Sequence, residues 1–384
     1  MKILHVISSG GMYGAEAVIL NMSRTLNRTG HTSMLGIFSN SANPNLQLHE
    51  CALGDGIESH LISCRGQIDR TVPASIRALS ASTGADVLHA HGYKADVYAY
   101  LALRGSPTAL VSTCHNWLDD NRIVRLYGFL DRRVLRNYQA VVAVSEEVRQ
   151  RLAGSGVPAG NIHFIRNGID LRPFDSAFPS LRDPSAPGAL LVGWVGRLSR
   201  EKGPDLFIQA AARVHSEFPD VQFILVGEGP DRAELETLIE KLGLTARIHL
   251  AGRKSDMPAV YASFALMVSS SRREGLPMAI LEGMASRLPW IATDVGDVST
   301  IVQDGRTGVL VPSDNPARLA DALATLLRHP ETRTRLGGNA RRLVETEFSA
   351  EQMTAEYLRV YKAARDATAP FDPVIAHSAP GGTH

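Results

Sequence analysis

The chain has 384 residues, 44% of them hydrophobic and 21% charged, and its 40 basic and 39 acidic residues leave a formal net charge of +1. That length exceeds the size at which one hydrophobic core stops growing, so two domains are expected, and the composition is that of a folded protein. Near-balanced charge argues against nucleic acid as the main partner, which would call for a clustered excess of cations.

The three cysteines, Cys51, Cys64 and Cys114, stand far apart with no CxxC pair. They suggest neither a disulfide framework nor a thiolate metal site, and a reducing cytoplasm fits. The apolar run 3–7 is too short for a signal-peptide core, and no uninterrupted apolar stretch reaches the roughly 18 residues of a membrane span. Peripheral membrane contact stays open.

Residues 3–7 read as a strand running into Gly10-Gly11-Met12-Tyr13-Gly14, after which 15–26 has helical periodicity. Glycines after a first strand let backbone approach a ligand, but the order is neither GxGxxG nor a P-loop, and a purely structural turn is an equal reading. Strands at 33–38, 86–91, 109–113 and 140–144 follow, separated by helix-like stretches such as 71–82 and 93–103. This is the βαβ rhythm of a mostly parallel sheet.

His89-Ala90-His91 closes one of these strands. Both imidazoles share a face if the strand continues, and a turn at Gly92 would redirect the second. A zinc site would need third and fourth ligands that the sequence does not supply, so no metal is expected. His5, inside the first strand, reads as core. His115, after another strand, can donate to a ligand hydroxyl while uncharged or stabilise negative charge if protonated, and a turn or cap histidine is the plainer alternative.

Between 121 and 138, Ile123, Leu126, Tyr127, Leu130, Val134 and Tyr138 recur at helical spacing beside Arg122, Arg125, Arg132, Arg133 and Arg136, with Asp131 the one acid. Such a helix either lies on an anionic membrane surface or packs its apolar face on the sheet and leaves the arginines solvated. Near Leu171 the pattern breaks. Residues 172–189, rich in Pro and Ser, read as an interdomain linker. A second strand–helix alternation fills 190–349, a final helix covers about 350–366, and 367–384 reads as a mobile tail.

Two segments of the second half carry the chemistry. After the strand at 190–195 comes Gly196-Arg197-Leu198-Ser199-Arg200-Glu201-Lys202-Gly203. Arg197 and Lys202 there face a helix start near Pro204, whose free N–H groups and dipole suit a diphosphate; a solvated basic turn is the alternative. After the strand at 264–268, a Ser269-Ser270-Ser271 turn leads to Glu274-Gly-Leu-Pro-Met-Ala-Ile-Leu-Glu282, which looks like one side of a polar ligand cleft. A paired-carboxylate hydrolase needs its acids roughly 5 to 9 Å apart. Glu274 and Glu282 would lie about 12 Å apart along an axis if a helix held throughout.

Together these segments resemble the retaining, nucleotide-sugar-dependent glycosyltransferases of family 4, whose α/β GT-B fold sets two Rossmann-like domains face to face with a cleft between them. The resemblance runs from Gly10-Gly11 to the helices around Tyr357. It is strongest in Gly196-Arg197-Leu198 with Lys202-Gly203, and in Glu274 with Glu282 around Gly275-Leu276-Pro277. It implies an acceptor-side domain of 1–171 plus about 350–366 and a donor-side domain of 190–349.

By the same resemblance Arg197 and Lys202 grip the donor diphosphate, Glu282 binds the ribose hydroxyls, and Glu274 contacts the transferred sugar and stabilises its oxocarbenium-like transition state. Backbone N–H groups of Gly275, Leu276 and Met278 would meet sugar or phosphate, and the segment around Arg253 the base. Gly11 and Gly14 would let their loop approach the diphosphate, His115 would bond near the sugar C6 hydroxyl, and His91 and Tyr13 would line the acceptor side. Leu276 stands where the family often has Phe and Ala350 where it often has Trp, changes of packing rather than chemistry. No Asp-x-Asp occurs, in keeping with the family's metal-independent chemistry.

The implied reaction moves a hexosyl unit from a nucleotide diphosphate sugar to a hydroxyl acceptor in cell-surface polysaccharide, lipopolysaccharide or glycolipid synthesis. UDP is preferred because uridine donors are widespread in the family, and GDP-mannose is the alternative. A non-catalytic nucleotide-sugar-binding protein of the same fold and a phosphorylase are the rivals. The expected location is the cytoplasm, and peripheral contact at the inner face of the membrane through 121–138 stays open beside the packed-helix alternative.

Overall fold

The computed structural model describes residues 1–12, 14–40, 44–66, 68–115, 122–181, 188–275 and 277–368, with backbone alone at 122–127 and 129. Most of the expected tail, from 369 on, lies outside the described residues. The chain divides into two compact units, Met1–Ile165 with the chain from Ala355 on, and Arg166–Thr354.

In the first unit, β1 (Lys2–Ile7), β2 (Thr32–Ser39), β3 (Glu58–Ser63), β4 (Val87–His91), β5 (Ala109–Cys114), β6 (Ala140–Ala143) and β7 (Ile162–Phe164) form a parallel sheet in the order β3-β2-β1-β4-β5-β6-β7. In the second, β8 (Leu190–Val195), β9 (Val221–Val226), β10 (Ile248–Leu250), β11 (Leu266–Ser269), β12 (Trp290–Thr293) and β13 (Gly308–Val311) follow the order β10-β9-β8-β11-β12-β13. Each order reverses once, between β1 and β4 and between β8 and β11. Open parallel sheets bind ligands beyond the carboxyl ends of their strands at that switch. The glycine loop follows β1, His91 ends β4, the Arg197 loop follows β8 and Glu274 follows β11.

The strands read as near-continuous apolar runs because both sheet faces are covered. Along β9, Phe223 and Leu225 join Trp194, Phe207 and Leu323 on one face, while Ile224 and Val226 join Tyr261, Met267 and Trp290 on the other. This is the period of two that a pleated strand imposes. In the first unit Leu4 and Val6 pack with Leu88 and Ala90, while Ile7 packs with Ile19, Leu35 and Ile37.

The division falls before the break near Leu171 that composition suggests, and 172–181 is not a free linker. Ile169 donates its N–H to Phe348 O at 2.8 Å and accepts from Ala350 N at 2.8 Å. Arg172–Asp175 forms a short helix whose Asp175 pairs with Arg341 at 2.8 Å. Ser180 and Leu181 donate backbone N–H groups to Ser263 Oγ at 3.0 and 2.9 Å. Backbone satisfied in this way belongs to the unit that satisfies it.

The basic helix runs over Arg122–Leu135. Asp131, Leu135 and Tyr138 are buried, whereas Leu130 is 38% exposed. The inward face is therefore turned by one residue from the apolar stripe seen in the sequence. Side chains of Arg122, Ile123, Arg125, Leu126 and Tyr127 lie outside the described residues. Asp131 sits near the fully buried Asp96 of helix Tyr93–Leu103, whose carboxyl is pushed well above the ordinary range by burial and then by the Asp131 charge. Among the described residues no helix is long and apolar enough to cross a membrane.

Candidate functional site

In the second unit two loops meet beyond β8 and β11. Leu198, fully buried, pins the first loop into the core and donates its N–H to Glu228 O at 3.1 Å, leaving Arg197 exposed beside it. A short turn, Arg200–Lys202, carries the chain to Gly203 and the helix Pro204–Val214. Gly203 sits at φ +63, and a Cβ there would land on the Ser270 carbonyl oxygen. Only glycine serves, because it meets both a left-handed backbone and a close approach.

The second loop begins at the serine turn. Ser270 Oγ donates to Gly203 O at 2.6 Å and accepts from Trp194 Nε1 at 3.1 Å, and Thr293 Oγ1 donates to Ser271 O at 2.5 Å. Ser271 Oγ then donates to Glu274 Oε1 at 2.7 Å, and Lys202 Nζ bonds Glu274 Oε2 at 2.7 Å. The Glu274 side chain is only 6% exposed, the lysine 28%. The cation of the first loop and the carboxylate of the second thus form one charge-assisted pair at the switch point.

Glu282 lies in the helix Met278–Ala285, which starts after Pro277 and not at Glu274, so no continuous helix joins the two glutamates. Tyr261 donates its hydroxyl to Glu282 Oε2 at 2.9 Å, and burial pushes the carboxyl up to about 7. Met278 is half-buried at the start of this helix and Gly275 is exposed just before it. Arg253 is exposed after β10, next to Gly252, whose carbonyl accepts from Gly227 N at 3.0 Å. Leu276 lies outside the described residues.

Two positioning residues escape a reading of local sequence. Arg272 spreads its guanidinium over both Asp205 oxygens at 2.8 Å, Asp314 Oδ1 at 2.6 Å and Arg200 O at 2.8 Å, tying three segments together. Gly296, at φ +54, lies where a Cβ would strike the Glu274 carbonyl oxygen. The signals were a doubled arginine before Glu274 and a glycine after β12, neither informative without the fold.

In the first unit Gly11 is buried in the loop after β1, and Gly14 is exposed at the start of helix Gly14–Arg28; Tyr13 lies outside the described residues. Ser9 Oγ donates to Glu16 Oε1 at 2.9 Å, bracing this loop. His91 stays within β4, so Gly92 does not redirect it, and its ring centroid lies 4.1 Å from that of His89. His89 Nδ1 is 2.7 Å from the Tyr361 hydroxyl and Nε2 2.7 Å from the Thr113 hydroxyl, which meets Tyr357 at 2.9 Å. His115 is half-buried, and burial lowers its pKa to about 4, which favours the neutral, hydrogen-bonding form over an imidazolium.

His5, His89 and His91 bring ligand-capable atoms within 4.8 Å of one another, a closeness the core reading of His5 did not anticipate. Both nitrogens of His89 face hydroxyls, and His5 and His91 bond each other at 3.0 Å. His5 Nε2 is the one nitrogen of the three rings without a partner among the described residues, too little to hold an ion.

The family description "Glycosyl transferases group 1" matches residues 182–343, and "Glycosyltransferase Family 4" matches 12–172. The chain is 37% identical to an alpha-D-kanosaminyltransferase of Streptomyces kanamyceticus over 45% of each protein, so this match spans under half of that relative. It is 25% identical to a D-inositol 3-phosphate glycosyltransferase of Corynebacterium urealyticum over 94% of this chain and 92% of that one. The Anabaena Alr3699/HepE structure in complex with UDP superposes with a TM-score of 0.79 at 22% identity, covering 94% of this chain and all of that one.

Proposed function

We propose, for a chain that belongs to the group 1 glycosyl transferases of glycosyltransferase family 4, a retaining transfer of a hexosyl unit from a UDP-sugar to a hydroxyl of a glycan or lipid-linked acceptor. The protein is a GT-B glycosyltransferase that uses a nucleotide-sugar donor and is related to enzymes of cell-surface polysaccharide and glycolipid synthesis. The retaining course, the uridine base and the residue roles are our reading. The observation that carries it is the Lys202–Glu274 pair at 2.7 Å, which joins the diphosphate loop to the sugar loop at the strand-order switch.

In the reaction the bond between the anomeric carbon and the diphosphate breaks as that between the anomeric carbon and the acceptor oxygen forms. The acceptor proton passes to the departing diphosphate oxygen. Arg197, Lys202 and the N-terminal turn of Pro204–Val214 meet the charge that builds on the diphosphate, while Glu274 faces the positive sugar ring. Glu282 holds the ribose, Arg253 the base, and backbone N–H groups of Gly275, Leu276 and Met278 the sugar or phosphate. Gly11, Gly14 and His115 complete the donor contacts, and His91 and Tyr13 serve the acceptor. UDP is favoured by the UDP-bound Anabaena relative. The reading assigns the protein to the cytoplasm.

Purified protein is expected to transfer or hydrolyse a UDP-hexose, and Glu274→Ala and Arg197→Ala each to abolish this. Retained transfer in both variants would overturn the site. A thermal-shift series with UDP, GDP and ADP tests the base, and a larger shift with GDP would favour a GDP-mannose donor.

A further inference from the structure

Three histidines of the first unit lie in one hydrogen-bonded file. His5, fully buried in β1, has Nδ1 at 3.0 Å from Nε2 of His91. Nδ1 of His91 stands 3.3 Å from Nε2 of His115, just beyond β5. The rings stack with centroids 5.3 and 5.6 Å apart and planes 29° and 24° from parallel. Burial lowers the pKa to about 3 at His5, to about 4 at His115 and well below the ordinary value at His91. Each ring is therefore neutral near pH 7 and carries one proton.

A neutral imidazole donates through one nitrogen and accepts through the other. His91 bonds at both, so it keeps both bonds only if they run head to tail. With its proton on Nδ1 it donates to His115 Nε2 and needs a proton on Nδ1 of His5; His115 then carries its own proton on Nδ1. With its proton on Nε2 every ring is reversed. Either way, all three rings are protonated at the same nitrogen. Among the described residues His5 Nε2 has no partner to supply or take a proton, so the file holds a tautomer and does not conduct a proton.

We propose that His5 and His91 are positioning residues that act through this file to set whether Nδ1 of His115 donates to, or accepts from, a hydroxyl of the donor sugar. The sugar contact rests on the function proposed above; the coupling of the rings does not. His91 has both ring nitrogens committed to the file, and His5 acts wholly from within the core.

The test is a long-range proton–nitrogen correlation on the full chain labelled with nitrogen-15 at histidine, which separates protonated from bare ring nitrogens. His5, His91 and His115, assigned through single substitutions, are expected to share one tautomer, and any mixture overturns the proposal. A kinetic arm compares His5→Phe, which fills the space without a polar group, with His5→Asn, whose amide can replace Nδ1 as donor or acceptor. His5→Phe is expected to lower kcat about tenfold with little change in KM, and His5→Asn to restore most of it. Parental kcat in a folded His5→Phe overturns the positioning role; should that variant fail to fold, the tautomers decide. If His115→Ala leaves kinetics unchanged, the donor contact fails while the coupling stands on the tautomers alone.

Discussion

Lowering the pH from 8 to 6 is expected to weaken binding of a sugar nucleotide about tenfold through one carboxyl, Glu282. Burial raises this group from 4.5 to about 7, and the Tyr261 hydroxyl at 2.9 Å draws it back only in part. At pH 6 about one such carboxyl in eleven is ionised and at pH 8 about ten in eleven. Ribose hydroxyls donate to a carboxylate better than to a carboxylic acid, so a bound nucleoside returns Glu282 toward its ordinary value. The free protein then holds more protons than the complex. Affinity therefore rises with pH up to about 8 and flattens above it. For folding the sign is opposite. The raised pKa means that this carboxyl's stabilising contribution is fully present below 4.5 and is lost as pH rises through about 7. Calorimetry with UDP-glucose, whose doubly esterified diphosphate does not titrate near neutrality, reads the effect directly. Repeating the titration in two buffers of different ionisation enthalpy should count close to one proton released per nucleotide at pH 6. A flat affinity between pH 6 and 8, or the same slope in Glu282→Gln, would refute the assignment of Glu282 to the ribose.

Four further outcomes are expected. Glu274→Gln leaves Lys202 without its carboxylate and should lower kcat by about 100- to 1000-fold with a smaller change in donor KM; an unchanged kcat with a raised donor KM would point to binding alone. Gly296→Ala forces a Cβ onto the Glu274 carbonyl at a left-handed φ and should reduce kcat while costing about 1–3 kcal/mol of stability, read by urea unfolding. Asp131→Asn removes the charge facing Asp96, whose raised pKa means that stability is highest in acid and falls as pH rises. The variant should lose less stability than the parent as pH rises from the acid side, and an equal or steeper fall in the variant would contradict this. Arg272→Lys cannot reproduce the fork on Asp205 and should cost about 1.5–3 kcal/mol, with donor affinity falling as the Pro204 helix start loosens.

What was legible in the sequence is what a few adjacent residues decide. The runs at 3–7 and 190–195 announce strands because each is buried on both faces, and glycines and charges at their ends mark loops that leave the sheet. Arg197, Lys202 and Glu274 stand out for that reason. The polar run Glu58–Ser63 gives no strand signal of its own and becomes β3 only by pairing at the sheet edge, where little of it is buried. The serine turn reads as a turn, while its work of holding Gly203 depends on a partner 67 residues away. Arg272 depends on Asp205 and Asp314, 67 and 42 residues distant. The helix over 121–138 shows how a correct local reading can still mislead: its periodicity is right, but hydropathy alone would not send Asp131 inward. His5 makes the same point from the other side. Its hydrophobic neighbours place it in the core, and it is there, but only the parallel register that sets His5 beside His89 and Ile7 beside His91 reveals that this part of the core is built of imidazoles. A buried residue assigned to packing by its neighbours can thus belong, through strand register alone, to the chemistry at the end of the next strand.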